Sequence, residues 1–465
     1  MRPRTRLRPA LATAWLLAVL AGGPAPAQTY TWSGLGANNS WSTAANWQGG
    51  VVPVSGTGTA IVLTGTASPN PPNNIITTMN LGVFSLNSLT FASGAGPFVV
   101  SPSSNADYFN FPTIANGPIC HIDQFSAAAQ KLAFPNTGLQ LNPFLFLGGN
   151  GTGPLTIDGT IAAVGGSGGG LILNGPYTVT LNGATTGTAS SITLDAGTLR
   201  VNSDLAFGTS SVSFGGGTLQ LINNLAVNHS MVLSAGGGTL DANGFAGAMA
   251  NSGLTVTGPG RLTLTNTSNS GSLTINSQLQ HTGGLTVTGA NNTVTLGGNN
   301  SYTGGTTLSG GATLAIDTDG RLGNTSGGIT FDGGTLRLSE TASFNINRNV
   351  TLGAGGGTIS IDSTAQPVGI QAISGIGWLT KTGTGRIGLL GANTYTGPTT
   401  VTGGYLDIVN NQAVQSTTVT LNGGTLGFYS QATAPVLGGL AGVTNLALGA
   451  NSVSVGNTNA STTYA

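Results

Sequence analysis

Residues 298–311 read GNNSYTGGTTLSGG and residues 391–404 read GANTYTGPTTVTGG, so Tyr302 and Tyr395 hold one place in two copies 93 residues apart. Both copies run on into an apolar strand, Thr313-Leu314-Ala315-Ile316 and Tyr405-Leu406-Asp407-Ile408. Self-similarity on this scale excludes one compact globule and requires stacked units, each closing the core of its neighbour.

The smaller unit inside these copies is a triplet of apolar residue, hydroxyl residue, apolar residue. Examples are Val179-Thr180-Leu181, Ile192-Thr193-Leu194, Leu262-Thr263-Leu264, Val350-Thr351-Leu352 and Val419-Thr420-Leu421. A strand alternates its side chains between two faces, so both apolar residues point inward and the hydroxyl outward. Glycine pairs separate the triplets, and tight corners at positive φ are the expected reason. Leu199, Leu219, Leu240 and Leu262 recur at intervals of 20, 21 and 22 residues; Leu314, Leu336 and Ile359 at 22 and 23; Leu406 and Leu426 at 20. Three short strands and three corners use about that many residues, one coil of a parallel β-helix. A larger repeat starts at Leu199, Leu314 and Leu406; its intervals, 115 and 92, differ by one coil of 23.

Composition matters here because so polar and glycine-rich a chain has disorder as its first alternative. Only 5% of the residues are charged, yet 39% are hydrophobic, whereas disordered chains combine low hydrophobicity with high net charge. The expected fold class is therefore all-β: a right-handed parallel β-helix, or solenoid, with an N-terminal aromatic cap. Right-handedness follows from the twist of strands and the crossovers it favours.

Residues 1–27 read as a signal peptide. Arg2, Arg4, Arg6 and Arg8 precede the apolar run Leu11 to Ala21, and Ala25-Pro26-Ala27 supplies small residues for cleavage before Gln28. The apolar run is too short for a spanning helix, and no later segment is long and apolar enough for one. Without the leader, eight basic residues face twelve acidic ones. No basic stripe remains, and nucleic acid is not an expected partner.

Residues 28–65 form an entry segment containing Trp32, Trp41 and Trp47. These tryptophans are candidate ligand-contact or cap aromatics: they can stack on sugars, or they can close the open end of a solenoid. Residues 66–160 are read as irregular early coils because of their prolines, with Ser126 to Leu132 as the one short helical turn. Residues 161–465 are the regular helix.

Chemistry is sparse. Cys120 is the single cysteine, next to His121 and two residues before Asp123. Neighbouring residues on a strand face opposite ways, which argues against a Cys–His dyad. Asp317 and Asp319 lie closest to a calcium-loop pattern but lack its further oxygen ligands, and are read as turn formers. No catalytic, cofactor-binding or metal-binding residues are expected.

The segments KTGTGRIGLLGANTYTGPTTVTGGYLDI (381–408) and LNGGTLGF (421–428), with the entry WSGLGANNSWSTAANWQGGVVP, resemble the autotransporter-associated β-strand repeat family of bacterial passenger regions. The resemblance implies a non-enzymatic, extracellular or cell-surface protein with structural or adhesin-like roles, whose partners are surface glycans or other cell-surface proteins. It carries no catalytic residues to this chain. The rival reading is a carbohydrate-binding module or a polysaccharide-degrading β-helix enzyme. No amphipathic strands of a translocator barrel occur in the chain, and it ends at ASTTYA, so a fragment of a longer passenger, or release by another route, is expected.

Overall fold

A computed structural model describes the chain from residue 28 onward, apart from residues 66–74, 114–118, 136–137, 143, 164–168, 187–190, 210, 269, 340–343, 363, 365–366, 444–445, 447, 449–450, 460–461 and 465. The leader at 1–27, the prolines Pro69, Pro71 and Pro72, and Glu340 lie outside the described residues. The rest is a parallel β-solenoid with almost no helix: four short 3-10 turns are the helical elements among the described residues.

The coils give strands to three faces in turn, and those after Gln278–Leu279 give strands to two of them. One face is an 11-stranded sheet running from Gln28–Trp32 to Gln278–Leu279. The second is a ladder of 17 strands that begins at Ile75–Met79 and ends at Thr425–Phe428. The third is a five-stranded sheet in the early coils, then a 12-stranded sheet from Leu225–Ala226 to Ser454–Val455. Strands in register come from successive coils, as in Leu199↔Leu219 and Leu219↔Leu240; the next residue of that column is Leu264 rather than the expected Leu262, which pairs with Gly238 because this coil is two residues longer than that spacing. The Leu314–Leu336–Ile359 column and the Leu406–Leu426 pair stack in the same way. These side chains are buried to 1% exposure or less and merge into one continuous core along the rod.

The two copies of the long motif sit on different faces. Thr306–Ser309 of the first lies in the 17-stranded ladder, whereas its counterpart Thr399–Val401 lies in the 12-stranded sheet. Following the registers from Thr313 through Thr335, Thr358 and Thr380 to Thr400 shows that the 93 residues hold four coils and one additional face. The larger repeat is thus not a whole number of coils. Leu199 to Leu314 covers five coils and a face, and Leu314 to Leu406 four coils and a face. The one-coil difference stands; the common starting face does not. Two eight-residue strands, Asn345–Leu352 and Val368–Gly375, turn a corner with a register shift between Ile346 and Asn349, and carry the ladder from one face to the next.

Two local expectations are corrected. Ser126 to Leu132 is not a helical turn: Gln130–Ala133 is a strand paired with Leu155–Asp158. The buried Gln130 amide accepts from Phe98 N at 2.9 Å and donates to Gly96 O at 3.1 Å, and that tertiary demand overrides an alanine-rich local preference. Glycine also does more than turn corners. A Cβ on Gly236 would lie 2.1 Å from the carbonyl oxygen of Gly215, one on Gly283 2.1 Å from that of Gly260, and one on Gly397 2.2 Å from that of Gly377. None of these three has a positive φ. They are glycine because one coil's backbone rests on the next.

Leu240→Ala should cost about 2–5 kcal/mol, whereas Thr263→Ala, on the outward row, should stay within about 0.5 kcal/mol. Hydrogen exchange should show the loss concentrated in the coils adjoining Leu240, since stability in a solenoid is a nearest-neighbour sum.

Candidate functional site

The entry tryptophans converge. Trp47 stands edge-on to Trp32 (ring centroids 5.1 Å apart), to Trp41 (5.3 Å) and to Tyr30 (6.5 Å), and Trp41 packs in turn on Phe84 and Phe109. Such edge-to-face contacts are the favoured aromatic geometry. Trp47 Nε1 donates to the Trp41 carbonyl at 2.8 Å. The loop between them is fixed by the buried Asn46 amide, which donates to Asn38 O and Ser40 O and accepts from Gly36 N. Asn39 and Trp41 pair with the outer edge of Ile75–Met79 through Thr78. All three tryptophans are at most 2% exposed, so their ring faces meet protein rather than solvent. Trp378 lies far along the chain, half-buried, with its ring over Gly356.

The duplicated motif builds a bracket between coils. Asn300 Oδ1 accepts from Leu279 N at 2.9 Å, in the coil before, and Asn300 Nδ2 donates to Arg321 O at 2.7 Å, in the coil after. Asn393 repeats this with Ile373 N and Ala413 O, both at 2.8 Å. Tyr302 and Thr306 hydroxyls lie 2.7 Å apart, as do those of Tyr395 and Thr399. Burial raises both phenols above their ordinary pKa. The Tyr302 ring stacks on His281 at 5.4 Å and 5°, and burial pushes that imidazole down to about 4, so it is neutral.

The other candidates are locally satisfied. Cys120 faces inward, donates to Pro112 O at 3.2 Å, and is pushed up to about 11 by burial. His121 and Asp123 face outward on the same strand with Nδ1 and Oδ2 2.5 Å apart, on the opposite side from the thiol. Asp317 is held below the usual carboxylate range, chiefly by Arg321, and Asp319 takes both Nε and Nη2 of the buried Arg348. Arg348 spends its remaining donors on the carbonyls of Leu322, Gly323, Asn324 and Gly327. The two aspartates therefore carry cationic side chains, and among the described residues no three His, Cys, Asp or Glu side chains cluster as a metal would need.

Comparison with protein families matches two stretches, residues 285–316 and 379–408, to the passenger-associated-transport-repeat. The chain therefore carries two stretches similar to that repeat within a parallel β-solenoid. No curated protein and no solved structure matches it. The matched stretches contain both Asn–Tyr–Thr brackets together with the strands before and after them, so the repeat spans more than one full coil. Among the described residues no helix is long and apolar enough to cross a membrane.

Three charged side chains in the second repeat went unread in the sequence. Lys381 points inward where the first repeat has Val287, and its ammonium donates to the carbonyls of Thr382, Gly383 and Gly403. Asp407 replaces Ala315 and is fully covered, with Arg386 bonding both oxygens at 2.9 and 2.7 Å. Burial raises the Asp407 carboxyl while the guanidinium pulls it down; with two good bonds, the pair is ionic. The same guanidinium sits 4.2 Å over the Tyr405 ring. Their signal was comparison of the two copies position by position: most inward residues are of one type, and residues of different type stand at Lys381, Arg386, Tyr405 and Asp407.

Tyr302→Phe leaves the Thr306 hydroxyl without its partner and should cost about 1–3 kcal/mol; Tyr395→Phe should cost less, about 1 kcal/mol, because Thr399 keeps Thr417 at 3.1 Å. The double variant should be close to additive by urea denaturation. Burial lowers Lys381 to about 8, so between there and its unfolded value of about 10.4 the unfolded chain binds more protons. Stability should therefore rise with pH across that window, by roughly 1–3 kcal/mol, and Lys381→Val should remove the slope while its Val287 counterpart shows the site accepts the residue.

Proposed function

We propose that this chain is the passenger region of an exported protein and serves outside the cell as a structural or adhesive rod rather than as an enzyme. In this reading residues 1–27 are a cleaved signal peptide, residues 28–65 cap the first coil with Trp32, Trp41 and Trp47, residues 66–160 are the early coils, and residues 161–465 are the regular helix. The observation that carries it is what the passenger repeat does: its asparagine staples one coil to the next, and its tyrosine and threonine hydroxyls are bonded to each other. A motif with its polar atoms so committed supports a scaffold.

The carboxylates favour the same reading over a polysaccharide-degrading enzyme. Glycoside hydrolysis needs two carboxyl groups roughly 5–10 Å apart across a substrate. Here Asp158 is paired with Lys131, Asp362 with Arg337, and Asp407 with Arg386. Asp241 is engaged by Gln220, Asn243 and Thr267. Each is bound locally on its own part of the rod.

Expressed with its leader in a Gram-negative host, the protein should leave the cytoplasm and begin at Gln28 by N-terminal sequencing. Retention in the cytoplasm with Met1 intact would reject export, and sustained release of reducing or unsaturated sugar ends from polysaccharide by the purified protein would reject the non-enzymatic role.

A further inference from the structure

We infer that a glycine-floored groove on the outer face of the last coils binds a neutral glycan, with Tyr429 flanking the sugar. The inference rests on the adhesive reading above and gives it a site and a ligand class.

The floor comes from register. Asn345, Gly369, Gly388, Asp407 and Gly427 form one outward row across five successive coils. The residues either side of each glycine point their aliphatic side chains inward, so the row itself raises no side chain at Gly369 and Gly388; Asn345 and Leu390 lean over Gly369, and Leu390 and Val409 stand beside Gly388. Leu390 and Val409 form one wall, Pro367 lies opposite, and Asn345, Tyr429 and Gln431 reach the opening; the cavity holds about 210 Å³. This suits one sugar ring, while the row itself continues along the rod past Asp407 to Gly427.

The first repeat shows that the groove is not required by the fold. There the same four register positions are Thr293, Thr295, Thr313 and Ala315; in the second they are Arg386, Gly388, Tyr405 and Asp407. The inner residues and the Asn–Tyr–Thr bracket are kept. The second copy has thus lost a side chain at the floor and, on the same strands, added an Arg386–Asp407 ion pair with the guanidinium over the Tyr405 ring.

The chemistry selects the ligand. Arg386 and Asp407 neutralise each other, and the polar groups left at the opening are the neutral amides of Asn345 and Gln431 and the phenol of Tyr429. Neutral donors and acceptors beside the partly exposed Tyr429 ring, 36% exposed, match hydroxyls and the apolar C–H face of a hexose. A charged ligand would find no unpaired counter-ion there, and an apolar peptide side chain would strand the amides.

The test uses the purified full chain with cellohexaose, mannohexaose and chitohexaose as neutral probes and hexagalacturonate as the charged comparison, read by calorimetry and saturation-transfer NMR. At least one neutral hexasaccharide should bind saturably. A Cβ on Gly388 would make only ordinary contacts, 3.4 Å to Val409 and 3.7 Å to Leu390, at a φ any residue adopts. Gly388→Val should therefore fold, fill the groove and weaken binding at least about tenfold, a loss of about 1.4 kcal/mol. Tyr429→Ala, at an exposed position, is the second variant and should weaken binding by a similar factor with unchanged circular dichroism. Binding untouched by both variants, preference for hexagalacturonate, or no saturable binding to any neutral probe would overturn the proposal. An exported, folded chain that fails these assays refutes the groove alone, whereas failure of export refutes the passenger reading and leaves the groove assay standing.

Discussion

Everything in this molecule depends on main-chain hydrogen bonds that run from one coil to the next along the rod. Parallel strands about 4.8 Å apart leave no room for side chains between stacked backbones, and corners where carbonyl meets Cα must be glycine. Gly236, Gly260 and Gly283 satisfy that demand down one line of corners, and Gly377 and Gly397 do so down another. Once the corners stack, the rest is forced. Inward positions of successive strands form columns, and a column of Leu, Val and Ile excludes water without any charge network. That is why a chain with so few charged residues can be ordered throughout its described length.

The passenger repeat adds cross-links to this ladder, and its geometry explains how it can recur out of step with the coils. Four coils and a face separate its two copies, so the bracket occupies a different side of the rod each time. It works on either side because Asn300 and Asn393 bond only to the coils immediately before and after, and Tyr302 and Tyr395 only to a threonine four residues on. No partner lies across the core. A device that needs only its neighbours is indifferent to the face it lands on, and the repeat can drift around the axis while the columns inside remain continuous.

Much of this was legible in the sequence. The apolar–hydroxyl–apolar triplets and the 20-to-23-residue spacing of Leu199, Leu219 and Leu240 state the coil directly, because period-two alternation and nearly equal coil lengths leave one way to stack them. The outward surface was not legible. Coil length runs from 19 residues (Val212↔Met231) to 25 (Met231↔Val256) and, in the early coils, 33 (Leu89↔Ile122), and register shifts occur between Ile346 and Asn349 and between Val414 and Thr418. Which outward residues become neighbours is thus set by corners that composition does not describe. Gly388 beside Asp407, 19 positions away, is visible only once the coils are laid in register. The tryptophans misdirect in the opposite way: Trp32, Trp41 and Trp47 are conspicuous in the sequence, and the folded chain turns their faces toward one another.

The two repeats also separate what the fold needs from what it tolerates. Val287 and Ala315 show that an aliphatic side chain and a methyl group complete the same positions in the first copy. In the second, Lys381 and Asp407 stand there, and burying either charge is unfavourable by several kcal/mol before its partners are counted. Replacing one member of such a pair with an apolar residue is harmful, yet replacing all of them often is not. A solenoid in which any coil could be aliphatic has therefore kept a buried lysine, a buried aspartate and an arginine over a tyrosine within two adjoining coils. Their cost falls beside the row that raises no side chain at Gly369 and Gly388, and the fold by itself gives no reason for the coincidence.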